Sequence, residues 1–172
     1  MQPHIVYLAN SSGPKVGITR ATQLPTRWID QGAIAALPLF KVTSRYDSGR
    51  IEAALRTNMS DRTNWQRMLK NQVETVDLAE FWREIANEHD WTPDILRTIS
   101  GAMSLESIDD AEQLAFTYPV IEYPQKVKAL NLDKTPSISG RLCGIKGQYL
   151  ILDTGVINIR KFSGYEVEIS AA

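Results

Sequence analysis

Cysteine and histidine are scarce in this 172-residue chain, which has one cysteine, Cys143, and two histidines, His4 and His89. A single cysteine excludes an internal disulfide, and with only two histidines beside it a four-ligand structural zinc site cannot be filled. No zinc is expected, and Cys143 reads as a small buried apolar residue. No apolar run approaches the roughly 20 residues that cross a bilayer, and the N-terminus lacks the basic-then-apolar pattern of a secretion signal. A cytoplasmic location is the expectation. Internal repeats and low-complexity tracts are absent as well.

Net charge is also small, −1, but it is unevenly laid out. Residues 1–70 hold ten Lys and Arg against four Asp and Glu, residues 71–125 hold two against twelve, and residues 126–172 hold seven against four. A basic N-terminal region suits an anionic partner such as a phosphate backbone. It equally suits an acidic middle that folds back and neutralises it. Charge alone leaves both open.

The pattern predicts an α+β fold in three parts. Residues 1–71 begin with "HIVYLANSSGPKVGITR", two short apolar strands around a Ser-Ser-Gly turn. A short helix follows between Pro25 and Gly32, then a third strand over residues 36–43. The stretch "DSGRIEAALRTNM" places Ile51, Leu55 and Met59 on one helical face, with Asp47 or Ser48 as N-cap and Glu52 beside the buried face. "TNWQRMLKN" completes a three-stranded sheet flanked by helices. Residues 72–116 read as an acidic helical connector, in which Val76, Phe81 and Ile85 sit among carboxylates and Thr92 and Ser104 cap two further helices. Residues 117–172 are β-rich, with "QYLILDTGVINIRK" the clearest hairpin. They predict a small β-barrel or a curled antiparallel sheet of about four or five strands.

The first part also carries Tyr7 and Lys15 on the hairpin, Arg27 on a short helix and Glu52 beside a buried helix face. A base, two cations and a hard oxygen ligand are what phosphodiester hydrolysis needs. Each has a plain structural alternative. Tyr7 suits a half-buried strand aromatic and Lys15 a solvated strand end. Arg27 suits a pair with Asp30, Glu52 a pair with Arg56, and Asn64 a helix cap. Trp28, Trp65, Trp82 and Trp91 read as core or interface anchors. In the C-terminal part Lys126, Lys128, Lys134, Lys146, Arg160 and Lys161 alternate with Tyr149, Phe162 and Tyr165, a composition that suits backbone contacts and base stacking or an aromatic core.

Order and spacing add a resemblance. "IVYLA" with Tyr7, "KVGIT" with Gly17, "PTRW" with Arg27, "GRIEAAL" with Glu52 and "RTNW" with Asn64 together resemble the GIY-YIG nuclease superfamily over about the first 70 residues. The first-motif glycine is replaced, leaving Ile5 and Val6 ahead of Tyr7, and Lys15 stands for the second-motif tyrosine, as in some restriction-enzyme members. The resemblance implies a metal-dependent endonuclease, acting on DNA before RNA, with Tyr7, Lys15, Arg27, Glu52 and Asn64 as its catalytic set. Tyr7 would activate water, its pKa lowered by the Lys15 ammonium. Lys15 and Arg27 would stabilise the phosphorane-like charge, and Glu52 would hold one Mg²⁺ or Mn²⁺. Arg20, Arg45, Arg50, Lys146, Arg160 and Lys161 are the candidate phosphate contacts. A catalytically inactive nucleic-acid-binding module and a protein-interaction module are the alternatives.

Over the whole chain, "QPHIVYLANSSG", "PTRWIDQGA" and "GIKGQYLILDTGVINIRKF" are similar to a bacterial branch of that superfamily classed as of unknown function. Longer members of the branch carry a cysteine-rich, zinc-binding segment upstream. The expectation is that this chain is a short version or a fragment lacking it.

Overall fold

A computed structural model describes residues 2–170. Strands β1 (His4–Asn10) and β2 (Pro14–Arg20) pair antiparallel around the Ser-Ser-Gly turn. The turn leads back because Gly13 takes φ +146°, a conformation side chains disfavour. After a 3-10 turn at Ala21–Gln23 comes α1 (Thr26–Asp30), which stops at Gly32 with φ +67°. Strand β3 (Ala35–Val42) lies one residue earlier than the apolar pattern predicts and pairs with the other edge of β1.

Helix α2 (Arg45–Leu55) is capped by Ser44, whose hydroxyl accepts from the Asp47 amide. This corrects the expected cap at Asp47 or Ser48. Asp47 is buried instead and accepts from the Met103 amide at 3.3 Å and the Ser104 hydroxyl at 3.4 Å. Helix α3 (Trp65–Leu69) precedes α4 (Leu78–Glu88), capped by Asp77, and α5 (Pro93–Ser100), capped by Thr92.

The helix expected after Ser104 does not form. Ser104 accepts from the Thr43 amide at 2.9 Å, and the chain runs along β3 as two short strands, β4 (Glu106–Ser107) and β5 (Leu114–Ala115). The free edge of β3 offers backbone partners that outweigh local helical preference. Pro38, which has no N–H, lies between the two paired stretches of that edge. The N-terminal sheet therefore has five strands, in the order β2-β1-β3-β4 with β5 also on β3.

Its two faces differ. Val6, Leu8 and Val16 join Ile51, Leu55, Leu78, Trp91 and Leu96 in the main core, against α2, α4 and α5. Ile5, Tyr7 and Ala9 form a smaller cluster with Trp28, Ala33 and Ala36. The acidic segment thus contributes two strands and one wall of the core. Its α4 buries Phe81, Trp82 and Ile85 partway into that wall.

The C-terminal residues form a three-stranded antiparallel sheet, β6 (Leu142–Lys146), β7 (Tyr149–Leu152) and β8 (Gly155–Asn158). Among the described residues there is no closed barrel, and the sheet has three strands rather than four or five. Residues 117–141 form no regular strand but line this sheet through isolated bridges, Val120 to Gly144 and Ala129 to Val156, and through backbone bonds such as Ile145 amide to Pro119 carbonyl. Cys143 is buried as expected, with Ile151 and Val156 against Met68 and Leu69 of α3. The β6–β7 turn abuts the turn after α1, where a Cβ on Gly147 would stand 2.9 Å from the Asp30 carbonyl oxygen. No helix among the described residues is long and apolar enough to cross a membrane.

Candidate active site

The register of β1 on β2 sets Tyr7 opposite Gly17 and Ala9 opposite Lys15. Opposed residues in an antiparallel pair share a face, so Tyr7, Gly17 and Lys15 lie on the side that carries α1. The tyrosine ring lies across Gly17, where an added Cβ would fall 2.8 Å from the ring and from its hydroxyl. Glycine is required there by close approach. Trp28 of α1 meets the ring edge-on, with centroids 5.7 Å apart, and the Gln31 amide donates to the phenol oxygen at 2.5 Å.

Tyr7 is only 1% exposed, and burial pushes its pKa above the ordinary phenol value. The Gln31 hydrogen bond and the Arg27 guanidinium pull it back in part, while the Glu52 carboxylate pushes it further up. The expected lowering by Lys15 is therefore corrected, because desolvation dominates and the helpful cation is Arg27.

Lys15, 6% exposed, is pulled down to about 8 by burial first and then by repulsion from Arg27, against attraction from Asp61. Its ammonium donates to the Thr63 hydroxyl at 2.6 Å, so it is not a solvated strand end. Half-buried Glu52 is pushed up by burial and by Asp61, and pulled down by Arg45, Arg56 and Arg27. Among the described residues neither an Arg27–Asp30 nor a Glu52–Arg56 ion pair forms. Arg56 instead pairs with Asp61 at 2.9 Å. Arg27 of α1 thus acts through space on Tyr7 of β1, Lys15 of β2 and Glu52 of α2, and Tyr7 also feels Glu52.

Among the described residues Glu52 has no ion-pair partner, and it is a partly desolvated carboxylate, a hard oxygen donor under the influence of three arginines. One such carboxylate plus substrate phosphate oxygens matches how Mg²⁺ is commonly bound. Among the described residues no three His, Cys, Asp or Glu side chains gather into a protein-only cage. The donor set fits a metal shared with a substrate.

The remaining candidates fare unevenly. Asn64 caps α3, its side chain accepting from the Arg67 amide at 3.1 Å, while its own amide donates to Ser12. Arg20, Arg45 and Arg160 are exposed. Arg50 donates to the Gly101 carbonyl and lies over Tyr46, and Lys161 pairs with Asp133 at 3.7 Å. Lys146 is a correction: it is 0% exposed, lies 5.4 Å and 5.3 Å from the ring centroids of Tyr118 and Tyr123, and donates to Asn71 at 2.9 Å. A phosphate backbone cannot reach it. Trp28 and Trp91 are buried, Trp82 packs between Phe40 and Trp91, and Trp65 stacks on Tyr149.

Three neighbours of the site escape sequence reasoning. Gln31 had a faint signal, standing four residues after Arg27, the spacing that brings its amide to the Arg27 carbonyl. Asp61 and Thr63 lie in an irregular stretch between α2 and α3, and nothing in their spacing announces the site.

No curated protein and no solved structure matches the chain. A family model described as "Protein of unknown function (DUF2797)" matches residues 1–167, and the chain belongs to that family.

Proposed function

We propose that this protein hydrolyses phosphodiester bonds of nucleic acid, DNA in the first instance, with one Mg²⁺ or Mn²⁺ held by Glu52. The observation that carries the reading is that the Arg27 guanidinium acts on Tyr7, Lys15 and Glu52 alike, three groups whose pKa values are shifted first by burial. The order of these residues in the chain supports it through the resemblance to GIY-YIG nucleases.

A scissile phosphate lies between Lys15 and Arg27, whose charges offset the negative charge that grows as the phosphorus gains a fifth oxygen. Tyr7, having released its own proton to solvent, takes a proton from the attacking water as the new P–O bond forms, and the leaving sugar oxygen takes a proton from solvent water as its bond to phosphorus breaks. Bound Mg²⁺ or Mn²⁺ supplies Lewis-acid stabilisation of the phosphate oxygens. Burial favours the neutral form of Tyr7, while Arg27 and Gln31 favour its charged form.

A second reading has its own support: the near-complete burial of Tyr7 and the engagement of Lys15 by Thr63 suit a nucleic-acid-binding module without catalysis. Labelled single-stranded, duplex and branched DNA, and RNA, incubated with and without Mn²⁺, separate the two. Cleavage that needs the metal and disappears in Glu52→Ala is the expected result. Salt-sensitive binding with no cleavage by either protein would replace the nuclease with the binding module.

A further inference from the structure

Gln31 ends α1 and touches two oxygens of different kinds. Its amide nitrogen lies 3.0 Å from the Arg27 main-chain oxygen and 2.5 Å from the Tyr7 phenol oxygen. A backbone carbonyl can only accept, so the end of the Gln31 side chain that faces it must be the NH₂ group and not the amide oxygen. One amide proton then goes to Arg27 and the other to Tyr7. The direction of the second bond follows from the first.

We infer that Gln31 is a positioning residue for Tyr7, holding the phenol oxygen as an acceptor toward α1 and turning the phenolic proton away from the helix. The inference deepens the nuclease reading and rests on it for its catalytic meaning. Tyr7 must shed that proton before it can take one from water, and the Gln31 bond strengthens as the oxygen gains charge. The ring cannot turn aside to escape it, since Gly17 lies beneath and Trp28 stands at its edge. Arg27 serves the same oxygen by charge, so one helix supplies both the fixed donor and the cation.

The substitution Gln31→Leu removes the donor, whereas Gln31→Glu keeps the shape and turns the contact into an acceptor that holds the phenolic proton. Gln31 is half-buried at a helix end, so both variants retain the core. Ionisation of Tyr7 is followed by NMR of protein carrying tyrosine isotope-labelled at Cζ, with Tyr7→Phe identifying its signal among the six tyrosines. The expected result is a Tyr7 midpoint raised by about one pH unit in Gln31→Leu and by more in Gln31→Glu. In cleavage assays kcat falls about tenfold at neutral pH with KM within about twofold, and the rising limb of the pH profile moves up by the same interval. An unchanged Tyr7 midpoint in both variants overturns the inference. A shifted midpoint in a protein that cleaves nothing upholds the role of Gln31 and overturns the nuclease.

Discussion

Two buried lysines, one on each sheet, share a lowered pKa in different electrostatic surroundings. Lys15 on β2 and Lys146 on β6 are both pulled down to about 8, and burial is the leading cause in both. Around Lys146 nothing else contributes: two tyrosine rings and one amide oxygen surround the ammonium without a carboxylate. Around Lys15 a second cation, Arg27, repels it and Asp61 attracts it, and that same Arg27 acts on Tyr7 and Glu52. A lowered lysine pKa therefore does not mark a site by itself. Neighbouring groups of both signs do, because they give the charge something to act on.

The largest expected effect divides the two by chemistry. Lys15→Met should lower cleavage by about three orders of magnitude, as loss of a preorganised cation on a developing phosphorane does. Lys146→Met should leave cleavage within about twofold, read on the same duplex substrate with Mn²⁺. Equal losses in both variants would mean that the lysines do not differ in role.

Stability reverses the ranking. Lys146→Ala empties a fully enclosed side-chain volume between Tyr118 and Tyr123 and should cost about 3 kcal/mol in urea denaturation. For Lys15→Ala the cost should be less than half of that, since removing the ammonium also relieves its repulsion from Arg27. A greater loss at Lys15 would contradict the contrast.

The two should act alike toward pH. Each lysine releases its proton near pH 8 when folded but near 10.5 when unfolded. Across that window the unfolded chain holds more protons, so stability rises with pH. Below about pH 8 both states are protonated and the full cost of burying the charge remains. Tyr7 and Tyr118, raised by burial, work in the opposite direction above about pH 10, where the unfolded phenols ionise first. Stability should therefore climb from about pH 8 and turn over near 10. In Lys146→Met the climb should shrink by roughly half, about 1 to 2 kcal/mol after allowance for solvent screening. An identical climb in wild type and variant would remove Lys146 from the account.

Local signals made part of this molecule readable in advance. The hairpin of β1 and β2 followed from alternation around Ser-Ser-Gly, α1 from Pro25 and Gly32, and β7–β8 from the Asp-Thr-Gly turn. Features that depend on distant partners were not readable. Residues 104–115 carry helical signals, yet the edge of β3 and the Thr43–Ser104 bonds draw them into strands. Lys146 occupies an inward position of β6 while Ile145 beside it is exposed, the reverse of what hydropathy assigns. The four candidate residues were singled out by their order in the chain, whereas Asp61, Thr63 and Gln31 come near them only through tertiary approach.

The finest test of the contrast lies in the two hydrogen-bond acceptors. Thr63 oxygen accepts from Lys15 and Asn71 oxygen from Lys146, at 2.6 Å and 2.9 Å. Thr63→Val keeps the shape and removes the hydroxyl, leaving a buried ammonium with one fewer partner beside Arg27. Its pKa should fall further, so more of Lys15 is neutral at neutral pH and the cation that the proposed phosphate contact requires is partly lost. Cleavage should drop by about fivefold and recover at lower pH, where Lys15 is protonated again. Asn71→Ala removes the corresponding acceptor from Lys146 and should cost about 1 kcal/mol of stability with no change in the pH dependence of cleavage. Recovery of activity at low pH in the Thr63 variant alone would show that only the N-terminal lysine's charge is used in turnover. The same recovery in the Asn71 variant would tie the aromatic cage around Lys146 to the reaction and remove the distinction between the two lysines.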